Sequence, residues 1–330
     1  MSKRKRPILI IVIVLVIGFL GGTAAIYSFV FNKEDIEDKK QDILLNNGNK
    51  EINEKETPNN EENKIEENKK DKKEIKQEVE KKKEDSKPKV TENIKDNNKS
   101  NKKNSWYFMA KGNGQAPTPP EESESYLKAN NGVYLGDTSK KVIYLTFDEG
   151  YENGYTSKIL DILKSNNVKA AFFVTKPYIK DNKELIKRMV NEGHLVGNHS
   201  VTHSSMDEIV TKGIDAFRKE IKDVEEEYKS LIGKDMIKVF RPPMGNYSEK
   251  SLSYTKALGY KSVFWSFAYG DYDVNKQPDK TYAKNHILKS THNGAIYLLH
   301  AISKTNLDIL DEVIKEWKSM GYEFRSLEEL

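Results

Sequence analysis

Six short runs rich in β-branched and aromatic residues recur between residues 141 and 300: KVIYLTF, KAAFFVT, HLVGNHS, IKVFRPP, YKSVFWSF and GAIYLLH. Amphipathic stretches separate and follow them, among them TSKILDILKSNN, KELIKRMVNEG, FRKEIKDVEEEYKSLIG, SLSYTKALG and NLDILDEVIKEWKSMG. Several of these end in Gly or Asn, as a helix C-terminus favours. Strand and helix alternating in this way predict an α/β fold with a parallel sheet, either a barrel or a doubly wound sheet. In both architectures chemistry collects beyond the C-terminal ends of the strands. The polar residues that close the apolar runs are Asp148-Glu149, Asn198-His199, Arg241, Asp271 and His300. They are expected to converge.

The first 104 residues read differently. Residues 3–6 are Lys-Arg-Lys-Arg, and residues 8–31 form an uncharged apolar run. As a helix, about 24 residues at 1.5 Å each would reach roughly 36 Å, enough to cross a bilayer core of about 30 Å. The run is longer than the apolar part of a cleavable signal peptide, so residues 1–31 are expected to be a transmembrane anchor, although Gly21 to Ala25 leave cleavage open. The basic quartet then keeps the N-terminus cytoplasmic and places the rest outside. From 32 to 104 the chain is mostly Lys, Glu, Asn and Asp, too poor in apolar residues to offset its ordering entropy. A disordered tether is expected there, with a span of about 45–50 Å, leaving residues 105–330 as one folded domain.

Residues 106–330 carry 31 basic and 31 acidic side chains, so the formal net charge of +4 resides in the N-terminal quartet. A basic isoelectric point therefore says nothing about nucleic acid, and no nucleic-acid partner is expected. The chain has no cysteine. Disulfides, thiol nucleophiles and thiolate metal sites are excluded together, and any metal must be held by His and carboxylate.

GNHSVTH sets His199 and His203 four residues apart, which on a helical turn would place both imidazoles on one face. Two imidazoles and one carboxylate make a three-ligand site with room for water. Five segments then share one resemblance: Thr146-Phe147-Asp148-Glu149-Gly150, His199-Ser200-Val201-Thr202-His203, Arg241-Pro242-Pro243, WSFAYGDY and Leu298-Leu299-His300. Together they resemble the polysaccharide deacetylase family, carbohydrate esterase family four, over about residues 130–330. GYENGYT and LLHAISKTN make the chain most similar to the branch of muramic acid de-N-acetylases that prepares the δ-lactam of spore cortex.

That resemblance implies a distorted (β/α) barrel of about seven strands and hydrolysis of an N-acetyl amide on peptidoglycan glycan strands. A divalent metal is implied, zinc first, with cobalt, manganese or magnesium as alternatives. Asp148 would be the general base and His300 the acid, with Arg241 orienting Asp148 and Asp271 supporting His300. Glu149, His199 and His203 would hold the metal, and a backbone N–H at Met244 would stabilise the oxyanion. Three departures stand out: Glu149 where the family has Asp, Ala268 for the first Asp of the fourth motif, and Tyr272 for its Trp. Glu149→Ala is accordingly expected to weaken metal affinity more than Asp148→Ala. Tyr151 could contact substrate, as could Tyr155; Phe264, Trp265 and Phe267 are expected in the core. His194, His286 and His292 match no motif and are read as surface or structural residues. The alternatives are an N-acetylglucosamine deacetylase with the same site and a catalytically weak wall-binding module; the catalytic domain is expected to be monomeric.

Overall fold

The computed structural model describes residues 98–112 and 114–330, together with the backbone of two earlier segments, Val14–Leu20 (β1) and Thr23–Phe29 (β2). β1 and β2 pair antiparallel, Val14 opposite Phe29 and Leu20 opposite Thr23. The helix expected over residues 8–31 is not what these segments form. Val, Ile, Phe and Tyr favour a pleated strand. Among the described residues no helix is long and apolar enough to cross a membrane. The basic quartet and the tether up to residue 97 lie outside the described residues.

A separate compact unit comprises Pro88–Leu330. Its strands are Asn104–Ser105 (β3), Gly132–Val133 (β4), Val142–Glu149 (β5), Ala171–Val174 (β6), Leu195–Asn198 (β7), Val239–Phe240 (β8), Asn246–Tyr247 (β9), Lys261–Val263 (β10), Ala295–His300 (β11) and Glu323–Phe324 (β12). The main sheet runs β11-β5-β6-β7-β8-β10-β4, all parallel, and β12 adds to the first residues of β5. Helices Glu121–Ala129 (α1), Thr156–Ser165 (α2), Lys176–Asp181 (α3), Lys183–Asn191 (α4), Met206–Thr211 (α5), Ile214–Ile232 (α6), Glu249–Ala257 (α7), Lys280–Lys289 (α8) and Lys304–Ser319 (α9) make the connections.

The sheet, seven strands along its main path, curls into a half-barrel, the open form of the distorted barrel expected. β4, β8 and β10 have only two or three residues each, and isolated bridges, Leu135 to Ala295 and Phe267 to Tyr297, take the place of a continuous ladder. The folded unit also starts earlier than residue 105. Lys99 pairs with Glu249 at 2.6 Å, and the Asn101 amide donates to the Asp207 carbonyl at 2.9 Å.

Alternation along β5 assigns its two faces. Ile143, Leu145 and Phe147 pack with Ile159, Leu160 and Leu163 of α2 and with Ile314 and Trp317 of α9. Val142 and Tyr144 instead join Ala171, Phe173, Val263 and Ile296 on the concave side. Each fully buried large side chain here contributes about 1.5–3 kcal/mol. Because side chains alternate strictly along a strand, even-numbered positions of β5 look into the half-barrel and odd-numbered positions look into the helix layer. The same parity in β11 sends His300 inward, opposite Asp148 in register.

Candidate active site

A cleft of about 720 Å³ opens at the C-terminal ends of these strands, and Asp148, His199, His203, Met244 and His300 all line it. Its rim is apolar and solvent-facing: Tyr151 is 51% exposed, Met244 56% and Tyr272 65%. Trp265, expected only in the core, is partly buried and reaches the cleft as well. Phe264 and Phe267 are core residues.

Arg241 follows β8 and is fully buried. One terminal guanidinium nitrogen donates to Asp148 Oδ1 at 2.8 Å and to Thr146 Oγ1 at 2.7 Å. Its other nitrogens reach the carbonyls of Val263 (3.1 Å) and Phe264 (3.4 Å), and the guanidinium lies over the Phe173 ring at 4.2 Å. Thr146 in turn donates to the Tyr297 carbonyl at 2.6 Å. This network holds one Asp148 oxygen, Oδ1, against the guanidinium. Burial pushes the Asp148 carboxyl up, but Arg241, with His199 and His300, outweighs it and holds the group below the usual carboxylate range.

The His199–His203 pair does not sit on a helical turn, as the spacing suggested. Residues 199–203 form a loop in which Ser200 and His203 have φ of 70° and 55°. Such values cost about 1 kcal/mol or more each in a non-glycine residue and are held by side chains. Asn198 Oδ1 accepts from Ser200 N at 2.9 Å, Ser200 Oγ accepts from His203 N at 3.0 Å, and Glu220 of α6 accepts from the Val201 and Thr202 amides. The result still pairs the imidazoles, ring centroids 4.9 Å apart. The Arg241 carbonyl accepts at 2.8 Å from His199 Nδ1, which must therefore carry the proton. The lone pair of His199 Nε2 then faces Asp148 Oδ2 at 3.5 Å. Burial drives His199 down to about 4 and lowers His203, so both rings are neutral.

Across the cleft, His300 Nδ1 bonds Asp271 Oδ1 at 2.7 Å, and the His300 amide donates to Asp271 Oδ2 at 2.8 Å. Burial would lower the imidazole, but Asp271 dominates and the pKa is raised. Asn306 completes this half of the site, donating to Asp271 Oδ2 at 2.6 Å and to the His300 carbonyl at 3.1 Å. It is positioned by the start of α9, where Ser303 Oγ accepts from Asn306 N at 3.0 Å, and it bonds the Tyr269 hydroxyl. Neither Thr146 nor Asn306 stood out as a functional position in the sequence. The only signal for Asn306 was its place in LLHAISKTN.

Glu149 is the expected ligand that the fold does not bring to the cleft. As an odd-numbered residue of β5 it faces the helix layer, fully buried, with Oε1 accepting from Thr156 Oγ1 of α2 at 3.4 Å and Oε2 without a partner. Burial first, then Glu152 and Asp148, raises its pKa well above the usual value. Among the described residues no three His, Asp or Glu side chains converge into a ready metal cage. Yet a divalent cation suits what is there: two neutral imidazoles, one with its free lone pair aimed at an ionised carboxylate, an arrangement that asks for positive charge between them.

Met244 is presented by the turn after Arg241. Gly245 N donates to the Pro242 carbonyl at 3.0 Å, and Met244 adopts φ 57°. His194 and His292 are buried away from the cleft, and His286 stacks on Tyr282.

Residues 135–263 match the polysaccharide deacetylase family. The chain is 45% identical over 226 residues to the peptidoglycan N-acetylmuramic acid deacetylase PdaA of Bacillus subtilis, covering 68% of this chain and 85% of PdaA. The chain belongs to the polysaccharide deacetylases. The solved structure of PdaA, a family 4 carbohydrate esterase, superposes with a TM-score of 0.67 at 44% identity, covering 70% of this chain and 97% of that one. A family 4 carbohydrate esterase from Bacillus anthracis gives a TM-score of 0.58 at 42% identity, with coverage of 70% and 97%. A Bacillus cereus peptidoglycan N-acetylglucosamine deacetylase is 32% identical over 214 residues, 64% of this chain and 74% of that protein. The family match spans Asp148, His199, His203 and Arg241 and stops before Asp271 and His300. Polysaccharide deacetylases are hydrolases of amide bonds and are in general metal-dependent.

Proposed function

We propose that this deacetylase removes the acetyl group from N-acetylmuramic acid in peptidoglycan. The observation that carries this reading is the pairing of two opposed dyads across one cleft, Arg241–Asp148 and Asp271–His300. The first favours an ionised carboxylate and the second a protonated imidazole, which is what a base and an acid acting in sequence require. Likeness to PdaA supports the muramic substrate. His199 and His203 would hold the metal, zinc first, with Asp148 facing them; when bound, it would polarise the amide carbonyl and acidify the attacking water. Asp148 takes the water's proton as oxygen adds to the acetyl carbon. The backbone of the Met244 turn stabilises the oxyanion. His300 protonates the amine as the C–N bond breaks, leaving acetate and a free 2-amino group. That amine can condense with the neighbouring lactyl carboxyl, with loss of water, to the six-membered lactam of spore cortex.

A basic quartet followed by an apolar run supports attachment to the cytoplasmic membrane with the catalytic unit outside, or secretion if the run is cleaved. The test is acetate release from peptidoglycan stripped of its stem peptides, with and without chelator. Chelator-sensitive release from muramic units is expected. Release from glucosamine units would favour the reading supported by the Bacillus cereus relative, and wall binding without acetate would overturn both.

A further inference from the structure

The turn that carries Met244 is pinned at both ends, by Arg241 on one side and by the first residues of the folded unit around β3 on the other. We propose that Trp106 is a positioning residue for this turn, an inference that rests on the catalytic reading of the cleft. Trp106 N donates to the Gly245 carbonyl at 2.8 Å, and the Trp106 indole N–H donates to the Trp265 carbonyl at 2.9 Å. Immediately before it, β3 pairs antiparallel with β9, Asn104 with Tyr247 and Ser105 with Asn246, and Ser105 Oγ donates to Asn246 Oδ1 at 2.8 Å. The indole is 6% exposed and stacks on Phe264 at 4.6 Å and 29°.

Gly245 shows how tight this clamp is. Its φ is 68°, and a Cβ there would stand 2.7 Å from the Trp265 ring and 3.1 Å from Trp106 Cβ. The glycine is thus caught between two tryptophans, one of which also lines the cleft. Pro242, Pro243 and Met244 are all that remains between the pinned ends, and Met244 holds a backbone conformation that a non-glycine residue adopts only under constraint. Residues 104–106 lie outside the span matched to the family, so this clamp is built by the part of the folded unit that precedes that span. Loss of the clamp should displace the oxyanion-stabilising backbone while leaving both acid–base dyads intact.

The test uses the full chain with Trp106→Ala and Trp106→Phe. Removing an oxyanion donor outright costs about 100–1000-fold in kcat, so partial displacement in Trp106→Ala should cost about 10–100-fold. KM and both limbs of the pH profile should stay put. Both variants keep the backbone bond to Gly245 and lose the indole bond to the Trp265 carbonyl; Trp106→Phe also keeps the stacking on Phe264 and should recover most of the lost rate. Hydrogen exchange gives a readout independent of turnover: amides of residues 244–247 should exchange faster in Trp106→Ala, with the β5 and β11 amides unchanged. Parental kcat in folded Trp106→Ala, or unchanged exchange at 244–247, would overturn the proposal. If the parent releases no acetate, the catalytic reading fails, and exchange alone decides whether Trp106 holds the turn.

Discussion

Replacing Asp271 with Asn keeps the shape of the side chain and removes the charge that opposes the burial of His300. In the parent, burial favours the neutral imidazole, but a fully buried carboxylate at 2.7 Å reverses the balance. A hydrogen bond to a charged group is worth about 1.5–3 kcal/mol, and each pKa unit corresponds to about 1.4 kcal/mol. The variant should therefore lose about 1–2 units, leaving burial to lower the imidazole. In the proposed mechanism His300 is the acid, which requires its protonated form to persist at working pH. The alkaline limb of kcat/KM should move to lower pH by about 1–2 units, with a loss of about 10–100-fold near pH 8 and a smaller loss near pH 5.5. The stability effect has the same origin. A raised imidazole stabilises the fold below the unfolded pKa of about 6.5, and that contribution fades as pH rises through the folded value. The gap in melting temperature between parent and variant should thus be wider at pH 6 than at pH 9. Acetate release from stem-peptide-free peptidoglycan across pH 5–9 reads the first effect and thermal unfolding the second. An unmoved alkaline limb in a folded variant would refute the assignment of His300 as the acid supported by Asp271.

Arg241→Met leaves Asp148 buried without its counter-charge, a change that costs about 3–5 kcal/mol when a buried pair loses one partner; the Asp148 pKa should rise, moving the acid limb of the rate profile to higher pH. Glu149→Gln should leave metal affinity by titration calorimetry near parental, whereas His199→Ala should lower it sharply, the reverse of what the acid pair in the sequence suggested for Glu149. Since the buried Glu149 carboxyl has a raised pKa, its contribution favours the fold least above that value, so the Gln variant should gain melting temperature at pH 8 and none at pH 4. Chelation should abolish acetate release without changing the circular dichroism spectrum, and zinc, cobalt, manganese or magnesium added back singly should identify the working ion.

Local sequence determined which polar residues gather at the cleft. Runs of β-branched and aromatic residues capped by a polar residue reveal a strand end, and five such ends in an α/β alternation reveal a shared cleft, because parallel strands all finish on one side. Asp148, His199, Arg241, Asp271 and His300 were readable on those grounds, and His203 from its spacing to His199. Tertiary structure alone decided which way each side chain points. Glu149 follows Asp148 by one residue, and one residue on a strand is a half-turn to the opposite face, so adjacency in sequence separated the two acids in space. His199 and His203 meet through two left-handed loop residues held by Asn198, Ser200 and Glu220, a geometry that four-residue spacing does not encode. Asn306 and Trp106 reach the site from distant segments, bonded to Asp271 and Gly245 across 35 and 139 residues. Contacts of that length depend on how the sheet curls, and the curl is a property of the packed whole.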